Sequence, residues 1–457
     1  MDRPNILLVV LDSARADRLS CCGHDRPTTP NLDRLAGEGT LFTNCWSESS
    51  WTLPASTTLM TGLAPREHLS DHHRELPREL PTLTEAMRGA GYATLMCSGN
   101  AFLGPSTGLD RAFDRTHLAR AARAPWKPFI NYLLNKGWSD RGGEELTRSF
   151  LSFAGSAREP WFGVVWYNDC HHPYMGPGEY RARFLHQPMA HSRRLELVER
   201  MRNMQELAAT LTDEDRHEIS DLYDGALAYT DHVLGALRDG LEQGGRWDDT
   251  VVIVAGDHGE MLGEHGLTGH GGPAGMYRPL LRVPLIVRAP DMVPADRRSG
   301  VLVQLADVTE TIARIGDCLD ALPGTAADRL DLRGAATGEG REHAVSERAA
   351  WTERDLKRAR RRSPHFDFAP FTRHMAAWLQ DGWELVTAET GRNELYHLAE
   401  DPEESRDLID DEPEQARLMR EALREWQKRV LPHPAAQGHV EREPPAVREG
   451  GEAMGEF

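Results

Sequence analysis

Lysine is nearly missing from this chain of 457 residues. There are four, at 127, 136, 357 and 428, and arginine supplies the rest of the positive charge. Positive charge as a whole is in deficit, with 53 Lys and Arg against 71 Asp and Glu for a net of −18. That excludes a polyanion such as nucleic acid as a partner of the general surface, but not a small anion in a local cationic site. Cysteine is sparse as well. The six residues show no Cys-x-x-Cys spacing, and Cys21 and Cys22 are adjacent, which argues against a disulfide framework and for a reducing compartment. No apolar run approaches the roughly 18 residues of a membrane span. The start, Met1-Asp2-Arg3-Pro4, leads into an apolar stretch without the layout of a secretory signal. The expectation is a cytoplasmic protein with no membrane and no nucleic-acid partner. Nothing in the sequence speaks to its oligomeric state.

Apolar residues at 40% with charged residues at 27% fit a folded chain rather than a disordered one. Asn5–Leu11 is a continuous apolar run of the kind that forms a strand buried on both faces, and it ends at Asp12. Trp161–Tyr167 is a second and ends at Asn168-Asp169-Cys170-His171-His172. Val251–Ala255 is a third and ends at Gly256-Asp257-His258-Gly259-Glu260, and Val283–Val287 is a fourth. Helical patterns at 29–38, 82–90 and 221–241 lie between them. The alternation predicts an α/β fold, a large mostly parallel sheet covered by helices on both faces. In such sheets the ligand crevice lies off the carboxyl ends of the strands. A single Asp after a strand is usually an ordinary loop residue. Three strands ending in carboxylates or imidazoles point to one shared site built from Asp12, Asp169, His171, Asp257 and His258.

Residues 115–160 and 176–220 read as polar, partly helical insertions. A basic run at 354–362 reads as a solvated face. From Trp378 a second unit begins, with strand patterns at 383–386 and 394–398 and an amphipathic helix at 412–430. The organisation expected is a catalytic domain over 1–340, a small C-terminal α+β subdomain over 341–430 and a disordered tail over 431–457, rich in Pro, Gly and Glu.

The segment Trp51-Thr52-Leu53-Pro54-Ala55-Ser56-Thr57-Thr58-Leu59-Met60-Thr61-Gly62 has Pro where a helix starts and Gly where it ends. Thr52 then stands at a helix N-terminus, where free N–H groups and the dipole favour an anion. It could simply cap the helix. A free threonine hydroxyl is a poor nucleophile at neutral pH, and a divalent cation would activate it. Asp12, Asp257 and His258 are the residues available to hold such an ion together with Thr52. The imidazole favours Zn²⁺ or Mn²⁺ over an all-oxygen cage, with Mg²⁺ and Ca²⁺ still open.

These blocks, in this order, resemble the sulfatases of the alkaline phosphatase superfamily along nearly the whole chain. The resemblance rests on Leu11-Asp12-Ser13-Ala14-Arg15-Ala16-Asp17, on Thr29 to Gly39, on Thr52 to Gly62, on Asp169-Cys170-His171-His172-Pro173-Tyr174, on Asp257 to Gly266 with Arg282-Val283-Pro284-Leu285, and on Glu394 to Glu404. It implies a metal-dependent hydrolase of small sulfate esters, with phosphate esters as an extension. It also implies that Asp12, Asp257 and His258 hold a divalent metal and that Thr52 is the nucleophile. His171 would meet the ester or its leaving group, and His270 falls where many members carry a Lys. An alternative with a second ion would use Asp169, His171 or His172, and His270. Asp231 recurs in the family pattern, and its expected role is structural.

The departures bear on the chemistry. Sulfatases proper convert a Cys or Ser to formylglycine, and Thr52 cannot follow that route, so water would cleave the covalent intermediate directly. That is easier for a phosphorylated than for a sulfated threonine. Ser56 stands where the family has Arg, and Ser13 where it has a second Asp, leaving one fewer metal ligand. The competing readings are a phosphodiesterase, phosphonate monoester hydrolase or phosphotransferase on the same site, and a non-catalytic anion-binding protein.

Overall fold

The computed structural model describes residues 3–70, 76–123, 140–174, 176–202, 211–271, 275–325, 327–362, 368–369, 372–389 and 391–437. Its centre is β1 (Asn5–Leu11), in which all seven residues are buried. It pairs in parallel with β5 (Trp161–Tyr167) on one side and with β6 (Thr250–Gly256) on the other. Beyond β5 lie β3 (Ala93–Ser98) and β4 (Arg115–Leu118), both parallel. Beyond β6 comes β9 (Arg282–Arg288), antiparallel to β6 and to β2 (Thr40–Trp46). The edge is β10 (Arg297–Ser299), parallel to β2, which also takes the short β11 (Val303–Gln304). Among the described residues the sheet has nine strands, and β9 alone runs against the rest.

The faces separate by residue parity, because side chains alternate across a strand. Leu7, Val9 and Leu11 share a cluster with α1 (Pro30–Glu38), α4 (Gly143–Ser156) and α5 (Asp213–Gln243). Ile6, Leu8 and Val10 join α2 (Thr52–Thr61), α3 (Leu83–Gly89) and α6 (Leu305–Ile315). Each large side chain buried in this way contributes roughly 1.5–3 kcal/mol. The resulting slab fixes where the strand ends point.

Two sequence readings change. β2 and β3 carry Thr, Asn, Ser and Cys and do not read as apolar runs, yet both are interior strands of the sheet, paired on both sides. Residues 115–160 are not wholly an insertion. They hold β4 and α4, whose Leu146, Phe150 and Ala154 are fully buried against the sheet.

The C-terminal part builds a separate antiparallel sheet, β12 (Ala344–Arg348), β13 (Met375–Gln380), β14 (Trp383–Ala388) and β15 (Glu394–His397). Helix α7 (Pro413–Arg429) covers it, laying Ala416, Met419, Leu423 and Trp426 on Val345, Trp378, Leu385 and Leu395. β12 runs beside the segment that leads into α2. The Glu347 N–H donates to Glu48 O at 2.8 Å and Ser346 Oγ to Ser47 O at 2.6 Å. A two-stranded ribbon, β7 (Met261–Leu262) with β8 (Thr268–Gly269), follows β6. Residues 431–437, assigned to a disordered tail from sequence, belong to the fold. Pro434–Gln437 is a helical turn, and the His433 N–H donates to Glu67 O at 2.9 Å. The rest of that segment, 438–457, lies outside the described residues. No helix among the described residues is long and apolar enough to cross a membrane.

Candidate active site

Because β1 lies between β5 and β6, the first residues past their ends are neighbours. Asp12 leaves β1 with its N–H still bonded to Tyr167 O at 2.9 Å. Ser13 then takes a left-handed backbone (φ 62) and turns back. Its N–H donates to Asp257 Oδ1 at 3.0 Å, and its hydroxyl donates to Asp12 Oδ1 at 3.2 Å. Ser13, expected only to lack a ligand, therefore ties the two carboxylates together. The other oxygen of Asp12 accepts from Asn100 Nδ2 at 2.7 Å and Trp166 Nε1 at 2.9 Å.

Asp257 Oδ1 also accepts from the His258 N–H at 2.8 Å. Its Oδ2 is buried with no partner. Gly259 lets the chain pass where it must, since a Cβ there would stand 1.9 Å from Pro279 O. His258 Nδ1 donates to Gly259 O at 2.8 Å. A carbonyl can only accept, so the second nitrogen, Nε2, presents its lone pair. That nitrogen is 3.4 Å from Asp257 Oδ2, 3.8 Å from Asp12 Oδ1 and 3.0 Å from Thr52 Oγ1. Thr52 is the first residue of α2, after Trp51 in extended conformation, and Gly62 closes the helix at φ 71.

Asp12, Asp257 and His258 are completely buried, and their ligand atoms lie within 4.8 Å of one another. Among the described residues no Arg or Lys forms an ion pair with either carboxylate. Burial, then repulsion from Asp12, pushes the Asp257 carboxyl well above its usual range. Burial, with His270 adding to it, holds the His258 imidazole well below its usual value. Two facing carboxylates, an orphaned buried oxygen and a neutral imidazole are the donor set that suits a divalent cation. Ion and donors match in kind. The bond from Nδ1 to the carbonyl also fixes the imidazole orientation in the way a metal-binding histidine needs.

The remaining candidates divide. His171 and His270 meet edge to face, with ring centroids 4.6 Å apart, and His270 lies 4.4 Å from the His258 ring. His171 Nδ1 donates to His172 O at 2.6 Å, leaving Nε2 without a partner. Burial depresses the His171 pKa strongly, with Arg141 and His270 contributing. Asp169 faces elsewhere. Its Oδ1 accepts from the Arg141 N–H at 2.9 Å, and its Oδ2 lies against Gly143, the first residue of α4. It holds the turn before α4 and forms no ligand cluster with His171 and His270, so the second-ion alternative loses its carboxylate. Asp231 accepts from the N–H groups of Asn31 and Leu32 at 3.0 and 2.8 Å and so caps α1. His68 is buried against Thr58 and Ser70, with its pKa pushed down to about 3 by burial. His265 stacks on Tyr277. His72 and His73 lie outside the described residues.

Sequence reasoning assigned no role to Glu260, Asn100 or Trp166. Glu260 is completely buried, and its Oε1 accepts from His270 Nδ1 at 2.9 Å. The only signal for it was its place in Asp257-His258-Gly259-Glu260. Asn100 and Trp166 reach Asp12 across 88 and 154 residues, and no local pattern marks them.

The chain matches the Sulfatase family model over residues 4–317. It belongs to the sulfatase family. The uncharacterized sulfatase YidJ of Escherichia coli K12 is 25% identical over 442 residues, covering 90% of this chain and 84% of that protein. The choline-sulfatase of Rhizobium meliloti is 25% identical, covering 68% and 67% respectively. In solved structures, the phosphonate monoester hydrolase of Agrobacterium radiobacter gives a TM-score of 0.73 at 24% identity over 93% of this chain and 95% of that one, a likeness of fold. In this sulfatase the region that the family model spans carries all four residues, Asp12, Asp257 and His258 past strand ends and Thr52 at the start of α2.

Proposed function

We propose that this sulfatase-family chain is a metal-dependent hydrolase of small sulfate esters in which Thr52 is the nucleophile. The observation that carries the reading is the 3.0 Å approach of Thr52 Oγ1 to His258 Nε2, the same nitrogen that Asp12 and Asp257 face. Asp12, Asp257 and His258 would hold a divalent cation, with Zn²⁺ or Mn²⁺ favoured by the imidazole and Mg²⁺ or Ca²⁺ compatible with the carboxylates. When bound, such an ion lowers the pKa of a hydroxyl beside it and offsets negative charge that develops on the ester oxygens.

The chain's own groups supply the rest. The Thr52 hydroxyl gives its proton to solvent water and attacks sulfur, and the bond from sulfur to the leaving oxygen breaks. The N-terminus of α2 favours the charge that gathers there. His270, which Glu260 orients, gives a proton to the leaving oxygen, and the neutral His171 meets the ester through the lone-pair side of its Nε2. Water then cleaves the Thr52 ester. Phosphate or phosphonate monoesters are a second reading. It is favoured by Thr52 itself, which has no route to an aldehyde hydrate and so depends on direct attack by water.

The test is hydrolysis of 4-nitrophenyl sulfate, 4-nitrophenyl phosphate, bis(4-nitrophenyl) phosphate and 4-nitrophenyl phenylphosphonate by protein loaded in turn with Zn²⁺, Mn²⁺, Mg²⁺ or Ca²⁺. Thr52→Ala should fold with an unchanged melting temperature and lose activity on the order of 10⁴-fold or more, as removal of a nucleophile does elsewhere. Full activity in that variant would end the mechanism. The ratio of the four rates chooses between sulfuryl and phosphoryl transfer.

A further inference from the structure

Among the described residues four arginines are buried: Arg15, Arg238, Arg288 and Arg348. Three are well satisfied. Arg15 meets Asp17 and Glu264, Arg238 meets Glu38 and Glu242, and Arg288 bonds the carbonyls of Trp247 and Thr250. Arg348 is different. It is 3% exposed, its Nε and Nη1 have no partner, and Nη2 touches only the Sδ of Met375 at 2.9 Å. Burial alone pushes its pKa down to about 10. A guanidinium enclosed without an anion is costly, and a chain keeps one where an anion arrives from outside.

Its position says which anion. Arg348 ends β12, which runs beside the stretch leading into α2, and Ser49 Oγ donates to Glu347 O at 3.0 Å, three residues before Thr52. Alternation along β12 puts Glu347 on Arg66 and sends Arg348 to the face of Ala344 and Ser346. That is the face where Ala344 packs with Met261 and Met276, on either side of the loop that carries His270. Arg348 also lines a pocket of about 750 Å³, whose wall includes Pro54 from the first turn of α2. Arg66, Arg420 and Arg424 line it too, so that with Arg348 four guanidinium groups face two carboxylates, Glu347 and Glu389, in a chain of net charge −18.

We infer that Arg348 is a specificity residue that binds a second anionic group, a carboxylate, sulfate or phosphate, on the organic part of the ester. This rests on the esterase site proposed above and narrows its substrates to esters whose leaving group is itself negatively charged. The guanidinium offers a planar pair of donors to such a group. A charge-assisted pair in this setting contributes about 10- to 100-fold in affinity.

The experiment uses sulfonates that cannot be hydrolysed, so that binding is read without turnover. Calorimetry compares benzenesulfonate with 2-, 3- and 4-sulfobenzoate on the metal-loaded wild type, Arg348→Met, Arg348→Lys and Thr52→Ala. The best sulfobenzoate isomer should bind wild type at least about tenfold more tightly than benzenesulfonate. Arg348→Met should erase that advantage, Arg348→Lys should keep part of it, and Thr52→Ala should keep all of it. Equal affinities in wild type, no binding of any probe, or an advantage that survives in Arg348→Met would each overturn the inference. Thermal unfolding guards against a purely structural role. Exchanging an unpaired buried cation for Met should hold or raise the melting temperature, and a fall would overturn the inference as well. Loss of the Thr52 mechanism appears in the hydrolysis assay and not in these affinities, so the two failures are separable.

Discussion

Asp12 and Asp169 end neighbouring parallel strands, and both are buried, yet they face opposite surroundings. Asp169 looks at the start of α4, where the Arg141 N–H and Gly143 receive it. Asp12 looks at Asp257 and at the lone pair of His258. Burial and the nearby Asp140 raise the Asp169 carboxyl to about 7, and backbone N–H groups pull against that rise. At Asp257 the rise is stronger, and two backbone N–H groups do not undo it. A strand-end carboxylate is thus tied to a turn where the approach to a helix opposes it, and is left to a candidate cation site where another carboxylate does.

The sharpest way to break this comparison is to neutralise one member of the facing pair. Asp257→Asn should remove bound metal, measured by elemental analysis, and cut kcat/KM by more than about 100-fold. That figure is the upper range found for groups that merely support a ligand. A variant that keeps both metal and activity would show that the pair is no ion site. The same region should govern stability against pH. The Asp257 pKa is raised in the fold, so its contribution is whole below the usual carboxylate value of about 4 and is lost as pH rises. The His258 pKa is lowered, so its contribution is present above about 6.5 and is lost as pH falls. Chelated protein is therefore weakened by Asp257 on the alkaline side and by His258 on the acid side. Added Zn²⁺ or Mn²⁺ should stabilise the protein by about 2.7 kcal/mol at a hundredfold excess over Kd, and at one fixed ion concentration should raise the melting temperature more at pH 8 than at pH 5. An ion effect that is equal at both pH values would contradict the assignment.

Why the sequence revealed one region and hid the other follows from distance along the chain. β1, β5 and β6 are buried on both faces, so they read as unbroken apolar runs, and the polar residue after each stands out. Thr52 stands out through Pro54 and Gly62. β2 and β3 stay hidden because their hydroxyls and thiols are buried without being apolar. Asp12 and Asp169 look alike in sequence, and what separates them is Arg141–Gly143 in one case and Asp257 in the other, 28 and 245 residues away. Arg348 and Asn100 are invisible for the same reason. Each matters through a neighbour that only folding brings near.

A middle-sized effect is expected at Glu260, which belongs to neither carboxylate class because it serves an imidazole. Glu260→Gln keeps an acceptor for His270 Nδ1, and Glu260→Ala removes it. Activity should fall about tenfold in the first and further in the second, within the range of about 10²–10⁴ that a general acid contributes. Equal losses would mean that charge, not orientation, is what Glu260 provides.

The smallest effect is at Asp169, and its sign is diagnostic. Asp169→Asn keeps an oxygen for the Arg141 N–H and removes a charge that burial and Asp140 disfavour. The wild-type carboxyl, raised to about 7, costs stability progressively between about pH 4 and 7. The variant should therefore melt at the same temperature as wild type near pH 4 and higher at pH 8. The gain at pH 8 should be on the order of a few kcal/mol, because the rise from 3.8 to about 7 already contains the pull of the backbone N–H groups. Metal content and kcat/KM should stay within about twofold of wild type, since only the turn before α4 is at stake. If Asp169→Asn instead loses metal, Asp169 is a ligand after all. The distinction would then lie not in what faces each carboxylate but in a rearrangement of the Arg141–Gly143 turn that frees it.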